Sequence, residues 1–193
     1  MFKKLYAWTI ALAESRHAPW ALALVSFAES SFFPIPPDVM LIPMAVAQPK
    51  RAWFFAGVCT VASVLGGILG YYIGAALYET VGLWLIHLYG GAEKIEALRE
   101  AYQKWGAALI LIKGVTPIPF KFVTIASGVF GYNFPLFVLL CVITRGARFF
   151  IVAGLLNRFG EPIKAWLEQN FGLFLALLAV ALVGGIVVAT KVI

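Results

Sequence analysis

The sequence predicts an all-α integral membrane protein built as an inverted repeat. Two re-entrant helical hairpins are each followed by a transmembrane helix, and a further transmembrane helix closes the chain. Three observations predict this. The 193-residue chain is 62% hydrophobic and only 12% charged, whereas a soluble domain carries about 25% charged residues. Several apolar runs are long enough to cross a hydrocarbon core of about 30 Å. Two of them are broken by the same short pattern, PIPPD at residues 34–38 and PIPFK at residues 117–121.

The elements follow in order. Residues 1–17 carry Lys3, Lys4, Tyr6 and Trp8 around a short apolar run. They read as an interfacial helix retained in the mature protein, with the aromatic rings at headgroup level. Residues 18–160 form the membrane domain, starting with a hairpin over 18–49. Its apolar first leg stops at Pro34, Pro36 and Pro37. Each of these lacks an N–H and restricts the residue before it, so a straight helix cannot pass. The second leg, DVMLIPMAVAQ, ends at the basic stop QPKR. A transmembrane helix is expected over 52–78, where Gly66, Gly70 and Gly74 recur at four-residue spacing and mark a face for close packing. Residues 79–104 include Ile95, Leu98 and Tyr102 at helical spacing among charges, the pattern of an amphipathic helix outside the bilayer. A second hairpin over 105–131 breaks at Pro117 and Pro119, and a second transmembrane helix covers 134–157. Residues 161–193 read as an interfacial segment anchored by Trp166, then a C-terminal transmembrane helix free of charge until Lys191.

One crossing separates the two hairpins, so they enter from opposite sides. Broken helices meeting near the midplane in this way form transport sites. Their freed backbone N–H groups, and the partial positive charge at helix N-termini, suit a polar cavity. Pro34, Pro36, Pro37, Pro117 and Pro119 are therefore the expected cavity-shaping residues. Inside the apolar runs lie Glu29, Asp38, Lys113, Lys121, Arg145 and Arg148. Intramembrane ionisable groups are costly and mark functional sites. The acids come from the first half and the bases from the second, which suggests pairing across the interface. The bases outnumber the acids, leaving room for an anion such as a phosphate headgroup. Lys113, Lys121, Arg145 and Arg148 are the candidate headgroup contacts, with Glu29 and Asp38 as proton-coupling acids.

Other classes fit less well. The net charge of +6 is scattered, which argues for cationic loops beside a membrane and against nucleic acid. Cys59 and Cys141 sit in apolar runs without metal spacing, and His17 and His87 read as interfacial. No catalytic residue, metal or cofactor is expected, so the chain does not read as an enzyme. A membrane lipid phosphatase is the catalytic rival, and a proton-coupled exporter of small cations or drugs is the rival transporter. Lys3, Lys4, Arg16, Lys50, Arg51, Arg158 and Lys164 fall on one side of the predicted topology, against Lys94, Arg99, Lys104 and Lys191 on the other. The positive-inside rule then puts the N-terminus in the cytoplasm. The glycine face serves either internal packing or a homo-oligomer.

Over roughly residues 18–160 the chain resembles the DedA family of bacterial membrane proteins, which share a domain with the eukaryotic VTT scramblases, and is most similar to the YqaA-like branch. The resemblance rests on FAESSFFPIPPDVMLIPMA, GGILGYYIG and KGVTPIPFKFVTIASGVFGYN. It implies that Glu29 and Asp38 match the family's membrane-embedded acidic pair. Lys113 and Lys121 stand where the family usually has arginines, and Tyr71 where an Asp is often found. It also implies a multi-pass protein of the bacterial inner membrane that flips or scrambles an anionic lipid, such as undecaprenyl phosphate or a phospholipid, with proton coupling.

Overall fold

The computed structural model describes residues 15–32, 36–89, 92–115 and 120–192, and these are helical with no strand among them. The helices are α1 (Ala18–Ser31), α2 (Asp38–Ala47), α3 (Ala52–Tyr89), α4 (Ala92–Val115), α5 (Lys121–Val129) and α6 (Phe134–Val192), with a short 3-10 turn at Pro49–Arg51. Pro49–Leu77, the 3-10 turn together with most of α3, and Phe134–Gly160 of α6 are long and apolar enough to cross a membrane. Pro34, Pro117 and Pro119, and residues 1–14 of the expected interfacial helix, lie outside the described residues.

Local chemistry sets the helix ends. Pro36 and Pro37 hold the φ that a first helical turn needs, and their carbonyls accept the amides of Val39, Met40 and Leu41 at the start of α2. At the end of α5, Gly131 takes a φ of +60°. The Gly131 amide donates to Gly128 O (3.1 Å), and the Tyr132 amide to Ser127 O (2.9 Å). This is a Schellman closure, which needs a residue free of Cβ strain at the left-handed position. Asn133 then starts α6, its Oδ1 accepting the Leu136 amide at 3.0 Å, as an N-cap should.

Helix directions follow from the contacts. α1 runs alongside and parallel to α3: Ser26 Oγ donates to Cys59 O (2.8 Å) and Ser31 Oγ to Gly66 O (3.0 Å). α5 also runs parallel to α3, with Thr124 against Gly67 and Gly70 and the Ile125 carbonyl against Gly74. α6 is antiparallel to α3, since Gly67 faces Cys141, Thr60 faces Gly146 and Trp53 faces Gly154. α2 follows α6, pairing Asp38 with Arg148 at one end while Pro49 meets Asn157 beyond the other. The chain therefore reverses between α1 and α2. It reverses again between α4 and α5, where Tyr102 Oη reaches Ser127 Oγ (2.9 Å) and Gln103 Nε2 donates to Gly131 O (3.0 Å). Burial pushes the Tyr102 phenol up to about 12, so it stays a neutral hydroxyl at ordinary pH.

Two boundaries differ from the sequence expectation. The amphipathic helix expected over 79–104 is divided between the end of α3 and the start of α4, and α4 continues without a break into what was expected to be the second hairpin. Nothing from Ala92 to Val115 forces an end. Gly106 is simply the place where the Tyr132 ring lies against the helix. Likewise α6 does not stop at 157 but runs to Val192 with Pro162 inside it. One proline removes one backbone bond and bends a helix more readily than it ends one.

The glycine spacing serves internal packing. A Cβ on Gly66 would collide with the Phe27 carbonyl, one on Gly74 with the Ile125 carbonyl, and one on Gly128 with the Tyr71 carbonyl, whereas Gly57 has nothing within 4 Å. Gly66→Ala and Gly128→Ala should each destabilise the protein by about 1–3 kcal/mol. Gly57→Ala should be neutral or stabilising by up to about 1 kcal/mol. Thermal melting of the three variants in detergent checks the contrast.

Candidate functional site

The site lies where the two chain reversals meet. Glu29 is in the last turn of α1, and its Oε1 accepts the Phe120 backbone N–H at 3.2 Å. Phe120 is the N-cap of α5, so the carboxylate sits at a helix N-terminus, where unpaired amides and the helix dipole favour negative charge. In return, Lys121 Nζ donates to the Phe32 carbonyl at the C-cap of α1 (3.3 Å). Each break thus supplies what the other lacks: an acceptor for an orphan N–H, and a cation for an orphan C=O.

Arg145, on α6, closes the arrangement from the other side. Its Nη2 donates to Glu29 Oε2 and its Nε to Ser63 Oγ. Ser63 Oγ lies 2.6 Å from Ser30 Oγ, which donates in turn to Glu29 Oε2 at 3.1 Å. The guanidinium is held between two rings, 4.7 Å from the Phe120 centroid and 5.0 Å from that of Phe149. Phe149 belongs to a core cluster with Leu22, Leu41, Met44 and Phe55, while Phe120 belongs to a second with Tyr102, Ile110 and Phe137. The polar centre is therefore the layer where two apolar cores meet. Arg145 is 1% exposed and Glu29 5%.

Asp38 and Arg148 make the second pair. Asp38 is the first residue of α2, again at a helix N-terminus. Arg148 follows Arg145 by three positions on the same helix face. Each acid thus has a helix N-terminus behind it and an α6 arginine before it.

Four of the six intramembrane charges singled out by sequence are thus brought together as two neutral pairs. Lys121 sits beside them on the Phe32 carbonyl. The Lys113 side chain lies outside the described residues. Pro36 and Pro37 are buried and start α2. Sequence reasoning missed Ser30, Ser63, Phe120 and Phe149. Ser63 carried a signal, since it lies on the helix face of Gly66 and Gly70; the two phenylalanines did not stand out in so apolar a chain.

The described residues are all helical, with two helices long and apolar enough to cross a membrane and an ion-paired centre between them, as in a helical membrane protein. The chain belongs to the VTT domain family, the DedA family domain, which matches residues 35–158. It is 38% identical over 170 residues to a Haemophilus influenzae protein carrying the name "Uncharacterized protein", covering 88% of both chains. It is 36% identical to "Uncharacterized protein HI0703 homolog" of Histophilus somni, again over 88% of each chain. No solved structure matches the chain.

Removing one partner of a buried pair strands the other charge. Arg145→Ala should cost about 3–5 kcal/mol. The double variant Glu29→Gln with Arg145→Gln should lose less than the sum of its single changes, with a coupling of about 1–3 kcal/mol. Melting temperatures of the four proteins in one detergent measure that coupling, and additive losses would refute it.

Proposed function

We propose that this protein moves an anionic lipid between the leaflets of a bacterial inner membrane, with its N-terminus in the cytoplasm and proton coupling through Glu29 and Asp38. The two helical reversals are re-entrant hairpins in this reading. They enter from opposite faces of the bilayer as an inverted repeat, α1–α2–α3 against α4–α5–α6. The observation that carries the reading is the reciprocal clasp between the breaks, Glu29 on the Phe120 amide and Lys121 on the Phe32 carbonyl. Broken backbone at this depth is tolerated where it is covered by protein or lines a wet path. Here both breaks lie beside buried charge, the arrangement used for substrate and ion sites at a repeat interface.

The pairings divide the roles. Arg145 and Arg148 each hold a carboxylate, so in this state neither offers a phosphate its full charge. Protonating Glu29 or Asp38 neutralises the partner and frees the arginine for a phosphate, which it can grip with two parallel bonds. Lys121 Nζ donates to the neutral Phe32 carbonyl and stands 5.6 Å from the Phe122 ring centroid, in no ion pair among the described residues, so it meets an incoming headgroup first. Lys113 is kept in this reading as a second cationic contact for the headgroup. Acids already neutralised by arginines make poor receptors for a small cation, and catalysis forms no part of this reading.

Purified protein in liposomes carrying fluorescent phospholipid or polyprenyl phosphate tests it. Leaflet exchange should exceed that of empty liposomes and respond to a pH gradient. Lys121→Ala should slow it by about tenfold or more, the cost of losing a charge-assisted hydrogen bond to phosphate. Glu29→Gln, if folded, should exchange lipid without responding to the gradient. Wild-type exchange no faster than empty liposomes for every anionic lipid would sink the reading and bring small-cation export forward.

A further inference from the structure

A second set of basic side chains lies away from the ion-paired centre, where α2 hands over to α3. The 3-10 turn Pro49–Arg51 is pinned to α6: Asn157 Nδ2 donates to the Pro49 carbonyl at 2.8 Å. The Cβ position of Gly160 lies 3.8 Å from Pro49 Cγ. Lys50 and Arg51 on the turn and Arg158 beside Asn157 are all exposed. Among the described residues, none of the three forms an ion pair. Arg51 is held in place: its Nη1 donates to Gln48 Oε1 at 3.1 Å, and its guanidinium stands 5.2 Å from the Phe54 ring centroid and 5.3 Å from that of Phe55. Arg158 likewise stands 5.8 Å from the Phe159 centroid.

The neighbours of this cluster define its ligand. Trp53, Phe54, Phe150 and Phe159 are each between 40% and 50% exposed, and the Trp53 and Phe150 rings meet at 5.9 Å. Farther from the turn along the same two helices, Val61, Leu65, Ile143 and Leu139 are at least half exposed, on the segments long enough to span a membrane. The outer surface therefore passes from cations, through an aromatic band, to aliphatic side chains. A phospholipid presents the same order as phosphate, glycerol ester and acyl chain, and tryptophan prefers the middle level. Among the described side chains no acid pairs with these three bases, so they complement a net negative headgroup, and a fixed arginine matches a phosphodiester in two-point geometry.

We propose that the Pro49–Arg51 turn, with Asn157 to Phe159 of α6, is a binding site for the headgroup of an anionic phospholipid, separate from the Glu29–Arg145 centre. Lys50, Arg51 and Arg158 contact the phosphate, Trp53 and Phe150 flank the glycerol region, and Asn157 fixes the turn on which Lys50 and Arg51 are carried. The site holds whether or not the protein transfers lipid, since it rests on a different set of side chains.

The test titrates the purified full chain in detergent micelles with phosphatidylglycerol and, separately, phosphatidylcholine, counting bound lipid by native mass spectrometry. Each Lys or Arg near an anionic lipid surface contributes about 1 kcal/mol. The variant K50Q/R51Q/R158Q should therefore bind phosphatidylglycerol at least about tenfold more weakly. Phosphatidylcholine binding should be unchanged, and Lys104→Gln, an exposed base on α4, should match wild type. Arg51→Lys, which keeps charge but loses the planar fork, should fall between wild type and the triple variant. If the triple variant melts early, Lys50→Gln and Arg158→Gln carry the test, each weakening phosphatidylglycerol by about fivefold. Unchanged phosphatidylglycerol binding in the folded variants, or equal loss for both lipids, or an equal loss in Lys104→Gln, overturns the proposal.

Discussion

A guanidinium almost wholly enclosed by protein is the constraint to which the rest of this fold answers. Arg145 is 1% exposed, and a charge at that depth persists only when it is paired and its donors are met. Every element that touches it supplies part of that compensation. α1 brings Glu29 and Ser30, α3 brings Ser63, the start of α5 brings the Phe120 ring, and α6 itself brings Phe149. Four separate parts of the chain must arrive in register for one side chain to be tolerated. The pair therefore specifies the fold more than it strengthens it, since a well-packed apolar replacement of both partners often costs little.

The close helix contacts are what permit that register. Ser63 can reach Arg145 and Ser30 together only if α1 approaches α3 nearly backbone to backbone. That approach is made possible at Gly66 and Gly70, against the Phe27 and Ser30 carbonyls. The same helix takes α5 at Gly70 and Gly74, so one glycine ridge seats both broken segments against one scaffold. The hydroxyls of Ser26, Ser31 and Thr124 then meet carbonyls across these contacts. In an apolar surrounding an unmet polar group costs several kcal/mol, and short hydroxyl side chains meet it without pushing the backbones apart.

Much of this was legible in the sequence because it follows from local chemistry. Prolines at 34, 36 and 37 announced the end of α1, glycines at four-residue spacing announced the packing face, and charges inside apolar runs announced the centre. The membrane family was legible for the same reason. The particular pairings were not. Glu29 had four bases in view, and the choice of Arg145 depends on how far α6 slides along α3. Long-range contacts set that position, with Cys141 at Gly67, Trp53 at Gly154 and Asn157 at Pro49. No local pattern encodes that slide. Helix length was misjudged for a related reason: a change from polar to apolar near residue 105, or a single Pro162, alters what surrounds a helix without stopping its backbone hydrogen bonds.

Two features of the centre bear on the exchange proposed above. Both acids sit at helix N-termini, Asp38 on its own α2 and Glu29 on that of α5. A helix N-terminus and an arginine favour whichever anion lies between them, carboxylate or phosphate alike. Carboxylate and phosphate are thus rivals for the same two donors, and the carboxylate holds the advantage of being tethered. A proton on the acid removes that advantage without moving any backbone. The exchange requires the acid to swing aside while its arginine stays fixed, and the fixed partner here is the more rigidly held of the two. Arg145 lies well inside α6 and is clamped by two rings, whereas Glu29 lies in the last turn of α1. In the proposed exchange it is therefore the carboxylate, at a helix end, that moves aside, and the arginine, inside its helix, that stays.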